Sequence, residues 1–262
     1  MRILITGANG YIGKTLHNVL RETHYVVAIH RGNFDLTDTI AMSKFFEASH
    51  HFDVVLHCAV AGGSRLQKDD WNILDENLAM YYNLLQFRKH YTRLIHFGSG
   101  AETYMGSEPY GYSKKVIAKS ILNQDNFYNI KIFGVFDENE LDTRFIKGNI
   151  KRYINKEPIQ IHQNKGMDFF YMEDLIKVVN YYINEKDPPK EFDCVYNTIL
   201  RLDRIARMIN ELSDYKVDVV TSTPGEGIFY TSNYRNNELP IELIGLEEGI
   251  KRTYNKLKNE TN

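Results

Sequence analysis

The sequence predicts a doubly wound α/β fold on a parallel sheet, with a small, discontinuous C-terminal lobe. Three observations carry this. Arg2–Thr6 is a short apolar run closed by glycine, which suits a buried strand. Gly7, Gly10 and Gly13 then fall three apart ahead of a helical stretch over 14–21. Beyond them, β-branched runs alternate with helical patterns at the rhythm of βαβ units.

A strand, a glycine turn and a helix in that order form a phosphate-binding device. Glycines allow a tight turn and a close approach of backbone to ligand. The helix N-terminus adds unpaired N–H groups and the positive end of a dipole. The context is the one a dinucleotide site requires, with Gly7, Asn9, Gly10, Tyr11, Ile12 and Gly13 as candidate contacts.

The second strand covers 25–30. At its end, an acid binds the 2′-hydroxyl of NAD, whereas an arginine accommodates the 2′-phosphate of NADP. Here the residues are His30-Arg31-Gly32, and no acid comes before Asp35. Arg31 therefore tilts the expectation towards NADP(H), with NAD(H) the alternative. Asp35 and Leu36 are placed beside the adenine. Thr37 or Asp38 caps a helix running to about residue 49.

A buried strand follows over 53–61 and runs out into Cys58, Ala59 and Val60. Small residues there permit packing against a flat ligand, and ligands of such sheets bind outside the C-terminal strand ends. Gly62-Gly-Ser-Arg65 continues as a loop. A helix over 75–90, carrying Asn77, leads to a strand over 93–97 and the loop Gly98-Ser-Gly-Ala-Glu102.

Tyr110 and Lys114 are four apart in Pro109-Tyr-Gly-Tyr-Ser-Lys114 and share one helix face. A tyrosine hydroxyl, with an ordinary pKa of about 10, moves protons poorly near neutrality. A nearby ammonium stabilises its phenolate and lowers that value. With Ser99 bonding a substrate oxygen, these parts interconvert an alcohol and a ketone beside a nicotinamide. A Tyr–Lys pair alone is common on helix surfaces. It gains weight by following the serine strand and the glycine turn.

The 262 residues bound one large domain or one with an appendage, and the apolar fraction of 43% is ordinary for a globular chain. Lys plus Arg number 32 against 34 Asp plus Glu, a net charge of −2, so nothing points to nucleic acid or an anionic membrane. Cys58 and Cys194 read as buried free thiols in a reducing compartment. The chain opens directly on a strand, without a signal-peptide pattern, and no apolar run spans a bilayer. The expectation is a cytoplasmic protein with no metal site: no Cys/His cluster has zinc spacing.

Thr6-Gly-Ala-Asn-Gly-Tyr-Ile-Gly13, the Ser99 loop, Tyr110-Gly-Tyr-Ser-Lys114, Ile132-Phe-Gly-Val-Phe136 and Met167-Asp-Phe-Phe-Tyr-Met-Glu-Asp174 resemble the extended short-chain dehydrogenase/reductases. Within these the chain is similar to the NAD(P)-dependent sugar-nucleotide epimerase/dehydratase group, nearest the GDP-fucose synthase and 4-keto reductase type. The resemblance implies a Rossmann domain over 1–140 and a mainly substrate-binding lobe over 141–262, with about 165–200 returning to the first. It implies catalytic roles for Ser99, Tyr110 and Lys114, the last two also touching the cofactor. Asn77, Phe133 and Val135 join the cofactor contacts, and helices over 75–90 and 110–122 would form a homodimer interface.

The reaction this implies is NADPH-dependent reduction of a nucleotide-linked 4-keto-6-deoxy sugar. An NAD-dependent 4-epimerase or dehydratase with the same triad, and a non-catalytic NADP(H) sensor, are the rivals. Ala101 and Arg144 stand where the epimerising synthases carry cysteine and histidine, which favours plain reduction. Thr103 or Ser107 would replace Ser99 if Gly100 held the serine position. Met167 replaces a frequent arginine, leaving Arg144, Lys147, Lys165 or Arg235 to meet a diphosphate.

The remaining expectations are helices over 143–156, 174–185, 202–213 and 245–258, and strands over 158–162 and 217–222. In the first of these helices, Phe145, Ile146, Ile150 and Ile154 form the apolar face.

Overall fold

The computed structural model describes residues 1–64, 67–234 and 239–261; Arg65 and Arg235 lie outside the described residues. In chain order the elements are β1 (Arg2–Thr6), α1 (Tyr11–Leu20), β2 (Tyr25–Ile29), α2 (Thr39–Ala48), β3 (Phe52–His57), α3 (Asn72–Gln86), β4 (Tyr91–Ser99), α4 (Ala101–Tyr104), α5 (Pro109–Ile121) and β5 (Phe127–Ile132). There follow β6 (Val135–Phe136), α6 (Phe145–Ile154), β7 (Ile159–Asn164), β8 (Phe170–Tyr171), α7 (Met172–Asn184), β9 (Glu191–Cys194), α8 (Leu202–Asn210), β10 (Val219–Glu226) and α9 (Leu246–Thr261).

The chain forms two compact units, residues 1–131 with 185–192 and residues 132–184 with 193–262. Among the described residues the main sheet has the order β2-β1-β3-β4-β5-β9. β1 pairs in parallel with β2 and with β3, Leu4 standing between Val27 and Val55, and β3 pairs in parallel with β4. Ile3, Leu4 and Ile5 are wholly buried. Burial on both faces is why this strand reads as an unbroken apolar run. From β1 the chain moves one way to β2 and then the other way to β3. That reversal opens a crevice beyond the carboxyl ends of β1 and β3. The α/β Rossmann-type architecture anticipated above is the one observed.

Local chemistry explains the boundaries. Asp38 caps α2, its carboxylate accepting from the backbone N–H groups of Ile40 (2.9 Å) and Ala41 (3.0 Å). α1 begins three residues before the expected start, directly behind Gly10. β3 stops at His57, because the small residues after it leave the ladder. The sheet strand near residue 130 is Phe127–Ile132, and within the Ile132–Phe136 motif a separate short strand covers Val135–Phe136. Asn129 and Lys131 hid it from a hydropathy reading. Both are paired within the first unit, Lys131 with Glu191 at 3.0 Å. The acid-bearing β9 was missed for the same reason.

In the second unit α6 turns Ile146, Ile150 and Tyr153 onto Leu202, Ile205 and Ile209 of α8 and Ile250, Tyr254 and Leu257 of α9. Phe145 and Ile154 pack at its margin. β7 and β10 pair in parallel beside it, as do β6 and β8. Among the described residues no helix is long and apolar enough to cross a membrane.

Candidate active site

The crevice beside β1 is a cleft of about 630 Å³. Its lining includes Gly7, Asn9 and Gly10 of the glycine turn, Cys58, Ala59 and Val60 after β3, and Arg31, Asp35 and Leu36 after β2, with Phe34 and Met80 adding apolar surface. Gly7 has φ +67°, and a methyl there would lie 2.6 Å from the backbone of Ala59. A Cβ on Gly13 would lie 2.4 Å from the Gly7 carbonyl oxygen. Both positions thus exclude any side chain, and the turn presents bare backbone to the cleft. Tyr11, Ile12 and Gly13 form the first turn of α1, behind an N-cap glycine that supplies no capping side chain. A glycine cradle at a helix start, opening on an apolar slot, fits the diphosphate and adenosine of a dinucleotide.

Asn77, an expected cofactor contact, is buried and hydrogen-bonded within the chain. Its amide oxygen accepts from Ala61 N (2.8 Å), and its amide hydrogens go to Ala61 O (3.0 Å) and Ser113 Oγ (3.1 Å). Ser113 in turn donates to the carbonyl of Tyr110 at 2.7 Å. Asn77 is therefore a brace between the loop after β3 and helix α5. With both donors committed, its side chain shapes the site rather than offering a hydrogen to a ligand.

Tyr110 lies in the first turn of α5, half-buried, with its ring against Gly63, where a Cβ would come within 2.8 Å of the ring carbons. Gly63, at φ +73°, thus makes the seat for the tyrosine. Lys114, one turn on, is buried and donates to the carbonyl of Phe97 at 2.6 Å. Its Nζ lies 5.9 Å from the centre of the Tyr110 ring. Burial lowers its pKa to about 8, against the raising influence of Glu102 and Cys58. Its Nζ also faces His96 Nε2 at 3.5 Å. Burial and then the Lys114 charge hold both His57 and His96 far below the usual imidazole range. These histidines are neutral packing partners; His57 bonds Thr6 at 2.9 Å.

Ser99 ends β4 and is buried, its Oγ accepting from Ala101 N at 3.2 Å. Accepting that bond orients the hydroxyl. Thr103 and Ser107, the substitutes considered for it, are both exposed. Phe133 and Val135 are buried in the second unit, Phe133 tilted edge-on to Tyr230 at 5.7 Å. Also in that unit, Lys147 pairs with Asp142 at 2.8 Å, a carboxylate that it shares with Lys151. Cys58 and Cys194 are free, and burial pushes both thiols up.

Glu102 escaped the sequence reading. It is buried on α4, accepts from Ser99 N at 3.0 Å and sits 3.7 Å from Lys131. Gly98 makes room for it, since a Cβ there would come within 2.3 Å of its carboxylate. The available signal was Ser99-Gly-Ala-Glu102, the Ser-x-x-Glu spacing of a capping box, of which the structure forms one arm, the Glu102 carboxylate accepting from Ser99 N. Burial raises its pKa to about 7 against the lowering influence of Lys131. Between the ordinary value of 4.5 and about 7, the folded chain holds a proton that the unfolded chain has lost. Stability from this group is whole below that window and is lost as pH rises through it. Glu102→Gln has nothing to ionise. Its denaturation midpoint, relative to wild type, is expected to rise between pH 5 and pH 8 in paired melts; a parallel pair of curves would refute the buried carboxyl.

Among the described residues no three His, Cys, Asp or Glu side chains gather around one point. The profile described as the NAD dependent epimerase/dehydratase family matches residues 3–197. CDP-abequose synthase of Yersinia pseudotuberculosis is 22% identical over 267 aligned residues, 91% of this chain and 90% of the relative. A GDP-L-fucose synthetase from Naegleria fowleri bound to NADP superposes with a TM-score of 0.78 at 16% identity, covering 100% of this chain and 94% of that one. The GDP-mannoheptose C4 reductase of Campylobacter jejuni, with NADP bound, gives 0.74 at 19% identity over 98% of each chain.

Proposed function

We propose that this chain, which belongs to the NAD dependent epimerase/dehydratase family, is an NADPH-dependent reductase of a nucleotide-linked 4-keto-6-deoxy sugar. The observation that carries the reading is Tyr110 on one face of α5 with buried Lys114 beneath it and Ser99 at the end of β4, within the unit that holds the glycine cradle.

When bound, the reduced nicotinamide supplies a hydride to the keto carbon. Ser99 donates a hydrogen bond to the carbonyl oxygen and orients it. Tyr110 gives that oxygen its proton as negative charge develops there. Lys114, held by Phe97 O, keeps a positive charge beside the phenol, so the phenolate left behind is stabilised. Gly7, Asn9 and Gly10 would hold the diphosphate, and Arg31 the 2′-phosphate. Plain reduction is favoured because a buried Ala101 stands where an epimerising relative would need a proton-transferring side chain. The similarity to a C4 reductase and a fucose synthetase, both with NADP bound, supports the same class.

The test is NADPH oxidation with a panel of dTDP-, GDP- and CDP-linked 4-keto sugars. One member is expected to be reduced stoichiometrically with NADPH; inertness towards the whole panel would overturn the proposal. A 4-epimerase holding NAD would use the same residues, and an acid beside Arg31 speaks for it. NAD released on denaturation, with no net redox change during turnover, would identify that reading.

A further inference from the structure

The end of β2 offers no carboxylate, yet the cleft contains one from elsewhere in the chain. Arg31, in the loop after β2, pairs with Glu76 of α3, 45 residues downstream, through Nη2 and Oε1. Both residues line the cleft. The guanidinium side is 72% exposed and the carboxylate side 30%, so the pair stands at the mouth rather than in the core. Asp35, the acid that the sequence places nearest, feels the Arg31 charge but is engaged chiefly by its own turn. Its carboxylate accepts from the backbone N–H and the hydroxyl of Thr37, both at 2.9 Å, and those bonds lower its pKa. Glu76 is the acid whose carboxylate bonds the Arg31 guanidinium directly.

The charges have opposite consequences for the two ligands. A 2′-phosphate needs the guanidinium fork and is repelled by a carboxylate beside it. A 2′-hydroxyl is a donor that a carboxylate accepts directly. We infer that Glu76 is the residue that sets the cofactor discrimination of this cleft, restraining Arg31 and holding the preference for the 2′-phosphate form small. The inference rests on the dinucleotide reading of the cleft made above. Stability does not account for the pair, because an exposed ion pair contributes little to folding.

The experiment is equilibrium binding of NADP⁺ and NAD⁺ to the full chain, as wild type, Glu76→Gln and Glu76→Asp, with the melting temperature of each. Glu76→Gln is expected to raise the ratio of Kd for NAD⁺ to Kd for NADP⁺ by about tenfold, which corresponds to about 1.4 kcal/mol. Glu76→Asp should fall between, and the melting temperature should hardly move. The change should shrink at high salt, as a charge effect at an exposed site does. A Glu76→Gln ratio within about twofold of wild type would overturn the role of Glu76 while leaving the dinucleotide cleft intact. Wild-type protein that bound neither nucleotide would instead remove the functional reading on which the inference rests.

Discussion

Tyr110→Phe is expected to lower turnover of the 4-keto substrate by about 10²–10⁴-fold, the usual contribution of a positioned proton donor. The ring is retained, so its packing on Gly63 and the brace running through Ser113 to Asn77 should survive. NADPH affinity and the melting temperature are therefore expected to stay close to wild type. This separation distinguishes proton transfer from scaffolding. Single-turnover NADPH oxidation, run beside a fluorescence titration, measures both on the same sample. Undiminished turnover would take the phenol out of the chemistry. A sensor would show no turnover in either protein.

The second large effect concerns the glycine turn. Gly7→Ala asks an L-residue to adopt φ +67° and drives its methyl to 2.6 Å from the backbone at Ala59. The left-handed conformation alone costs about 1–2 kcal/mol. Relief of the contact has to push the end of β3 away from β1, which would deform the cleft at the point where Ala59 lines it. The expected result is a loss of about 10²-fold or more in dinucleotide affinity, equivalent to about 2.8 kcal/mol, together with a lower melting temperature. Gly10→Ala separates the two consequences. Gly10 has φ −73° and ψ 163°, which alanine adopts without strain, and its nearest foreign atom is the Gly7 carbonyl oxygen at 3.3 Å. This variant should fold and still bind weakly, because its methyl stands at the opening of α1. Unchanged affinity in a folded Gly10→Ala would move the diphosphate elsewhere.

Much of the site was legible because its signals are local. Three glycines in a row of positions, a cap at Asp38 and a Tyr–Lys pair one helical turn apart are properties of a few consecutive residues. Their chemistry is set by backbone conformation and side-chain type, both readable along the chain. Glu102 was half-legible, since the capping-box spacing was there but its burial was not. The strands Phe127–Ile132 and Glu191–Cys194 escaped because polar side chains break their apolar patterns. Asn129, Lys131 and Glu191 are tolerated there only by pairing with residues distant in sequence.

By itself, then, the sequence determined the α/β class, the glycine turn and the Tyr–Lys pair proposed for the chemistry, since each follows from periodicity or spacing within a short stretch. Tertiary structure alone decided what confronts those groups. It brought Glu76 to Arg31, seated Tyr110 on Gly63, and drew the Asn77 amide onto the loop after β3. These pairs join residues 45, 47 and 16 positions apart, in that order. Contacts at such separation depend on how sheet and helices are stacked, which no local pattern encodes.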